Sequence, residues 1–74
     1  MWTSGFMKKN GKTYSYEMKI FKESSAFGID YGKISKLSII CEGKEVINYD
    51  RGWDIMPGSD DVNAVLEELL SRYN

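Results

Sequence analysis

Helical spacing of apolar residues occurs once in this sequence, near its end. Val62, Val65, Leu66, Leu69, Leu70 and Tyr73 fall at i, i+3, i+4, i+7, i+8 and i+11, which is one face of a helix and no face of a strand. Ser59 or Asp60 is suited to cap it, and Asp60 and Asp61 sit where the helix dipole favours negative charge. Pro57-Gly58 ends whatever precedes it. Burying each of those apolar side chains is worth about 1.5–3 kcal/mol as an upper bound, against a few tenths for the Glu68–Arg72 pair. The helix exists to cover an apolar surface, and the rest of the chain must supply it.

Upstream the period changes to two. Tyr14, Tyr16, Met18 and Ile20 alternate with Ser15, Glu17 and Lys19, the pattern of a strand with one apolar face. A second strand, Trp2–Lys8, precedes it across Lys9-Asn10-Gly11-Lys12. Asn-Gly usually forms a two-residue type I′ turn, which here pairs Met7 with Tyr14 and Gly5 with Tyr16 and turns Trp2 and Phe6 away from the tyrosines. A three-residue loop with Gly11 as a bulge instead pairs Phe6 with Tyr14, Ser4 with Tyr16 and Trp2 with Met18. Because a one-residue slip inverts a strand, gathering the large apolar groups on one face favours the bulged loop. Residues 22–27 read as a connector, and Gly28–Gly32 as an irregular strand or turn. Ile34–Cys41 and Val46–Asp50 form a second hairpin around Glu42-Gly43, and the same loop logic pairs Leu37 with Ile47 and Ser35 with Tyr49. Phe21, Ile40 and Val46 then fall on the sheet face that one helix leaves open. The expected fold is α+β, a single domain over 1–74: a four-stranded antiparallel sheet of two hairpins with one C-terminal helix packed on one face.

Composition narrows the chemistry. The chain has 74 residues, no histidine and one cysteine, Cys41. That excludes an internal disulfide and a Cys/His zinc site within one chain, and the acidic residues lack calcium-loop spacing. No apolar run approaches the roughly 18 residues of a membrane span, and the start of the chain lacks signal-peptide architecture. A free cysteine with no export signal points to the cytoplasm. The familiar nucleophile–base pairs are missing, and Cys41 in an apolar strand reads as a small buried hydrophobe. The expectation is no enzyme, no cofactor and no metal. Formal charge is −1, but it is polarised. Lys8, Lys9, Lys12, Lys19 and Lys22 face only Glu17 in residues 1–22, whereas Asp54, Asp60, Asp61, Glu67 and Glu68 face only Arg72 in residues 54–74.

Two groups of residues are candidates for interaction. In Tyr49-Asp50-Arg51-Gly52-Trp53-Asp54, Gly52 permits a backbone turn, Arg51 can pair with Asp50 or Asp54, and Trp53 has a large face to bury. The segment is either a structural corner or a recognition pair of Arg51 and Trp53, residue types enriched in interface hot spots. Trp2, Phe6, Tyr14 and Tyr16, with Lys12 and Lys19 among the neighbouring lysines, are either core and solvated rim or a stacking platform for single-stranded nucleic acid.

Ser25-Ala26-Phe27-Gly28-Ile29, Gly32-Lys33-Ile34-Ser35-Lys36-Leu37 and Asn48-Tyr49-Asp50-Arg51-Gly52-Trp53-Asp54 resemble the motifs of an uncharacterised family of short bacterial and phage proteins. That resemblance implies a small cytosolic domain and no particular activity. Four strands and a helix, with Tyr49-Asp50-Arg51 and Trp53 after the last strand, are also similar to the bacterial branch of the positive-cofactor-four coactivator family. This second likeness implies dimers that bind single-stranded DNA on the sheet, although the general basic excess of that family is missing. The sequence does not determine the function. The favoured reading is a non-catalytic protein-interaction module with a protein partner or a homodimer; the alternative is a single-stranded nucleic-acid-binding domain. A membrane is not an expected partner.

Overall fold

The computed structural model describes residues 1–74 throughout. Five strands follow one another across a single antiparallel sheet: β1 (Trp2–Lys9), β2 (Lys12–Ile20), β3 (Ile34–Cys41), β4 (Lys44–Asp50) and β5 (Trp53–Ile55). The helix α1 (Asp60–Tyr73) lies across one face. The two-layer α+β architecture is as expected, but the sheet has five strands rather than four. β5 is only three residues long, too short to show a period, and the segment read as a corner is the reversal that creates it. Gly52 is not the residue that makes the turn possible: Arg51 takes the left-handed conformation, φ 60°, and donates its N–H to the Ser35 carbonyl.

The first hairpin departs from the expected register. Asn10 (φ 49°) and Gly11 (φ 79°) form a two-residue loop of the type I′ kind, closed by Lys9 opposite Lys12. Met7 therefore pairs with Tyr14 and Gly5 with Tyr16, while Phe6 faces Ser15 and Trp2 faces Lys19. Tyr14 and Met18 are buried under the helix, and Trp2 and Phe6 stand on the opposite face. The physical reason lies in Gly5. A Cβ there would sit 2.7 Å from the Tyr16 hydroxyl oxygen, so the tyrosine ring covers the space that a side chain of β1 would fill. The inward face of the edge strand needs no large residue of its own.

In the second hairpin Glu42 (φ 53°) and Gly43 (φ 75°) again make a two-residue loop. Continued without interruption, that loop would send Ile47 and Tyr49 to the open face. A bulge prevents this: Ile40 pairs with Glu45 but Ile39 pairs with Ile47, leaving Val46 as the extra residue. Leu37 then faces Tyr49, not Ile47, and Ser35 is not opposite Tyr49. Ile47 and Tyr49 still share the face of Leu37, as expected, but Val46 packs against the core instead of lying on the open face.

Helix α1 follows its spacing closely. The Ser59 hydroxyl accepts from the Val62 N–H at 3.2 Å, and Glu68 pairs with Arg72 at 2.8 Å. Val62, Val65, Leu66 and Leu69 are buried against Met18, Leu37, Ile39 and Ile47, with Leu70 and Tyr73 half-buried at the margin. Two side-chain ties orient the helix. Near its start Asp61 accepts from the Asn10 amide in the first turn at 2.7 Å. At its other end the Asn74 side-chain oxygen accepts from the Lys33 and Ile34 N–H groups at 2.8 and 3.1 Å, and its amide donates to the Ile29 carbonyl at 2.9 Å. The segment Gly28–Gly32, with a 3-10 turn at Ile29–Tyr31, is thus bound to the helix end. A Cβ on Gly32 would collide with the Asn74 side chain, and one on Gly28 with the Gly32 carbonyl. No helix is long and apolar enough to cross a membrane.

Candidate interaction face

Because α1 covers one side of the sheet, the other side is open, and the register places residues on it in cross-strand rows. One row is Trp2, Lys19, Lys36 and Asp50; the next is Ser4, Glu17, Ser38 and Asn48; the third is Phe6, Ser15, Ile40 and Glu45. Phe6 is 79% exposed, Trp2 56% and Ile40 43%. Phe6 and Ile40 form the two walls of a shallow groove, and the short side chains of Ser4, Ser15 and Ser38 lie between them. Large apolar residues at the rims and serines between leave the groove accessible.

The charged groups of this face have varied partners, and one ion pair forms among them. Lys36 pairs with Asp50 at 3.8 Å, and the Lys19 ammonium lies 5.8 Å from the centre of the Phe21 ring. Glu45 accepts from the Ser38 hydroxyl at 2.5 Å and from the Asn48 amide at 2.9 Å. Those two hydrogen bonds stabilise the ionised carboxylate and hold its pKa below the ordinary value. Lys8, Lys19 and Lys36 are matched by Glu17, Glu45 and Asp50, so the face is mixed in sign rather than cationic.

The edge of this face is formed by β1. Met1 and Ile20 exchange both main-chain hydrogen bonds, and Lys9 and Lys12 close the turn. In an antiparallel pair such exchanging residues alternate with residues that face away. Thr3, Gly5 and Met7 are therefore bonded to β2, and the N–H and C=O groups of Trp2, Ser4, Phe6 and Lys8 point outward. The strand contains no proline and no bulge, and its only charges are Lys8 and Lys9 at one end.

The candidate residues named from the sequence are not brought together. Tyr14 is buried, and its pKa is raised first by that burial and then by Cys41 and Asp61. Tyr16 is half-buried, its pKa raised first by the neighbouring Tyr73 hydroxyl and then by burial. Lys12 lies beside the second turn, 3.4 Å from Glu42, and Lys19 is on the open face. Arg51 is exposed at the β4–β5 turn and pairs with neither Asp50 nor Asp54. Trp53 packs edge-on against Tyr49, with ring centres 5.1 Å apart at 77°, and remains 37% exposed. Phe27 and Tyr31 are exposed in the segment before β3, where Asp30 and Tyr31 both adopt positive φ. Nothing in the spacing of that segment marked them. The signal that places Phe6 and Trp2 outward was available: a glycine at position 5, opposite a tyrosine, in an otherwise regular strand.

The whole chain, residues 1–74, matches the family model described as Domain of unknown function (DUF7678). No curated protein and no solved structure matches it.

Proposed function

The chain belongs to the family described as Domain of unknown function (DUF7678), and from its surface we propose that it is a small, non-catalytic protein-binding module. Its contact surface is the helix-free face of the sheet together with the β1 edge. The observation that carries this reading is the outward placement of Trp2, Phe6 and Ile40 on one face. Covering apolar surface returns about 25 cal/mol per Å², and Phe6 and Ile40 flank a single groove. The balanced charges around them suit a protein surface better than a polyanion. A cytosolic setting fits the free Cys41, and the absence of histidine fits a role without acid–base catalysis. The test is affinity capture with the native chain and with a Phe6→Ser/Ile40→Ser double variant of unchanged circular dichroism. Partners recovered by the first and lost by the second support the proposal; partners retained equally by both refute it.

A second reading, binding of single-stranded nucleic acid, is favoured by one observation. Trp2 and Phe6 are exposed on the face that carries Lys8 and Lys19, although Tyr14 and Tyr16 turn inward. The likeness to the coactivator family belongs to this reading alone. Glu17, Glu45 and Asp50 on the same face oppose it. Fluorescence anisotropy with labelled oligonucleotides decides: no binding at about 50 mM salt, where phosphate contacts are strong, ends it.

A further inference from the structure

We propose that the partner of the β1 edge is a second copy of this chain, the two β1 strands pairing antiparallel about a twofold axis at Gly5. This rests on the protein-binding reading above and specifies its partner. The resulting sheet is continuous through both copies.

The register follows from main-chain parity. Outward groups belong to Trp2, Ser4, Phe6 and Lys8, so in a pair of identical strands even-numbered residues must meet even-numbered residues. Only one symmetric register engages all of them: Trp2 faces the partner's Lys8, and Ser4 faces the partner's Phe6. Shifting by two residues in either direction leaves Trp2 or Lys8 without an outward-facing counterpart in β1.

The side chains agree with that register. Lys8 has no carboxylate within ion-pair distance in its own chain, and in this register it lies opposite the partner's Trp2, a residue 56% exposed in the single chain. The charge at one end of the strand therefore meets an aromatic ring and never another lysine. Each Phe6 lies opposite a serine, and the two Phe6 rings become diagonal neighbours across the axis, a separation aromatic side chains span. On the helix side the axis passes between two Gly5 residues. No side chain opposes another there, and the space over each glycine is already taken by Tyr16. Long edges without proline, bulge or central charge are those that pair with other strands, and β1 is such an edge. The opposite edge, β5, spans only three residues.

Sedimentation velocity on the full chain, from about 5 µM to about 500 µM, covers the weak affinity expected of a small interface. Hydrogen exchange at both ends of that range reads the individual amides. The expected result is a concentration-dependent dimer in which the amides of Trp2, Ser4, Phe6 and Lys8 become protected. Ser4→Pro removes an N–H that bonds to nothing within the chain, and by symmetry removes two intermolecular bonds. It should weaken association about tenfold or more, with an unchanged urea midpoint at the low concentrations where both chains are monomeric. Phe6→Ser leaves the backbone intact and should weaken association independently. A strict monomer overturns the proposal, as does a dimer in which those amides exchange freely. If the chain is monomeric yet captures another protein through Phe6 and Ile40, self-pairing fails and the binding reading stands. If capture is also insensitive to those residues, both fail.

Discussion

Replacing Asn74 by alanine tests whether the helix end holds the segment between the two hairpins. Three hydrogen bonds are lost, but they are unequal. Ile34 is fully buried, and its counterpart in β2, Ile20, turns both main-chain groups to Met1, so Asn74 is the partner of the Ile34 N–H. Leaving a buried donor unsatisfied costs about 1–3 kcal/mol. Lys33 is exposed, so its N–H finds water, and the Ile29 carbonyl keeps its bond from the Gly32 N–H at 2.8 Å. Each of these adds roughly 0.5 kcal/mol. The total is about 2–4 kcal/mol, or a fall in melting temperature of roughly 10–30 °C for a domain of this size. Urea unfolding measures the loss, and hydrogen exchange localises it to the Lys33 and Ile34 amides. Asn74→Asp keeps the acceptor and loses the donor, so it should cost less. A loss below about 0.5 kcal/mol, the level of ordinary surface changes, with both amides exchanging as before, would refute the reasoning.

Two further outcomes follow from local geometry. Gly52→Ala should raise stability by about 0.4–1 kcal/mol, because open space surrounds position 52 and the left-handed residue is Arg51; a drop of similar size in the urea midpoint analysis would return the turn to the glycine. Glu45 has a folded-state pKa below its ordinary value of 4.5, so its stabilisation is present above that value and lost as pH falls through the lower folded one. Glu45→Gln should therefore unfold at lower urea than the native chain at neutral pH. The difference should vanish in strong acid, and a difference that persists there would assign the effect to packing.

The fold was legible where the periodic signal was long. Helix α1 carries its apolar stripe over several turns and has a capping serine, so its position and buried face follow from spacing alone. The strands were legible as strands, but their registers were not. A bulge in a loop and a bulge inside a strand have the same effect on side-chain direction beyond them. For that reason Ile47 and Tyr49 lie on the face expected of them, although the extra residue is Val46 and not Gly43. In the first hairpin the premise itself was wrong. Gathering every large apolar residue inside assumes that the core needs them, whereas Tyr16 reaching over Gly5 satisfies the inner face of β1. The same error hid two of the three exposed apolar residues of the candidate site. Ile40 was placed on the open face correctly, while Phe6 and Trp2 were assigned beneath the helix.

The order of the strands has a consequence for cooperativity. In a meander each strand pairs with its neighbours in the chain, so three of the four closures in this sheet span only tight turns and cost little entropy. The long closure is the one between β2 and β3, and nothing in the turns favours it. Asn74 joins that connector to the end of α1. Docking the helix and closing the long loop are thereby linked, and the tie adds to the β2–β3 ladder, which runs from Tyr14 opposite Cys41 to Ile20 opposite Ile34, in making the two hairpins one unit of folding.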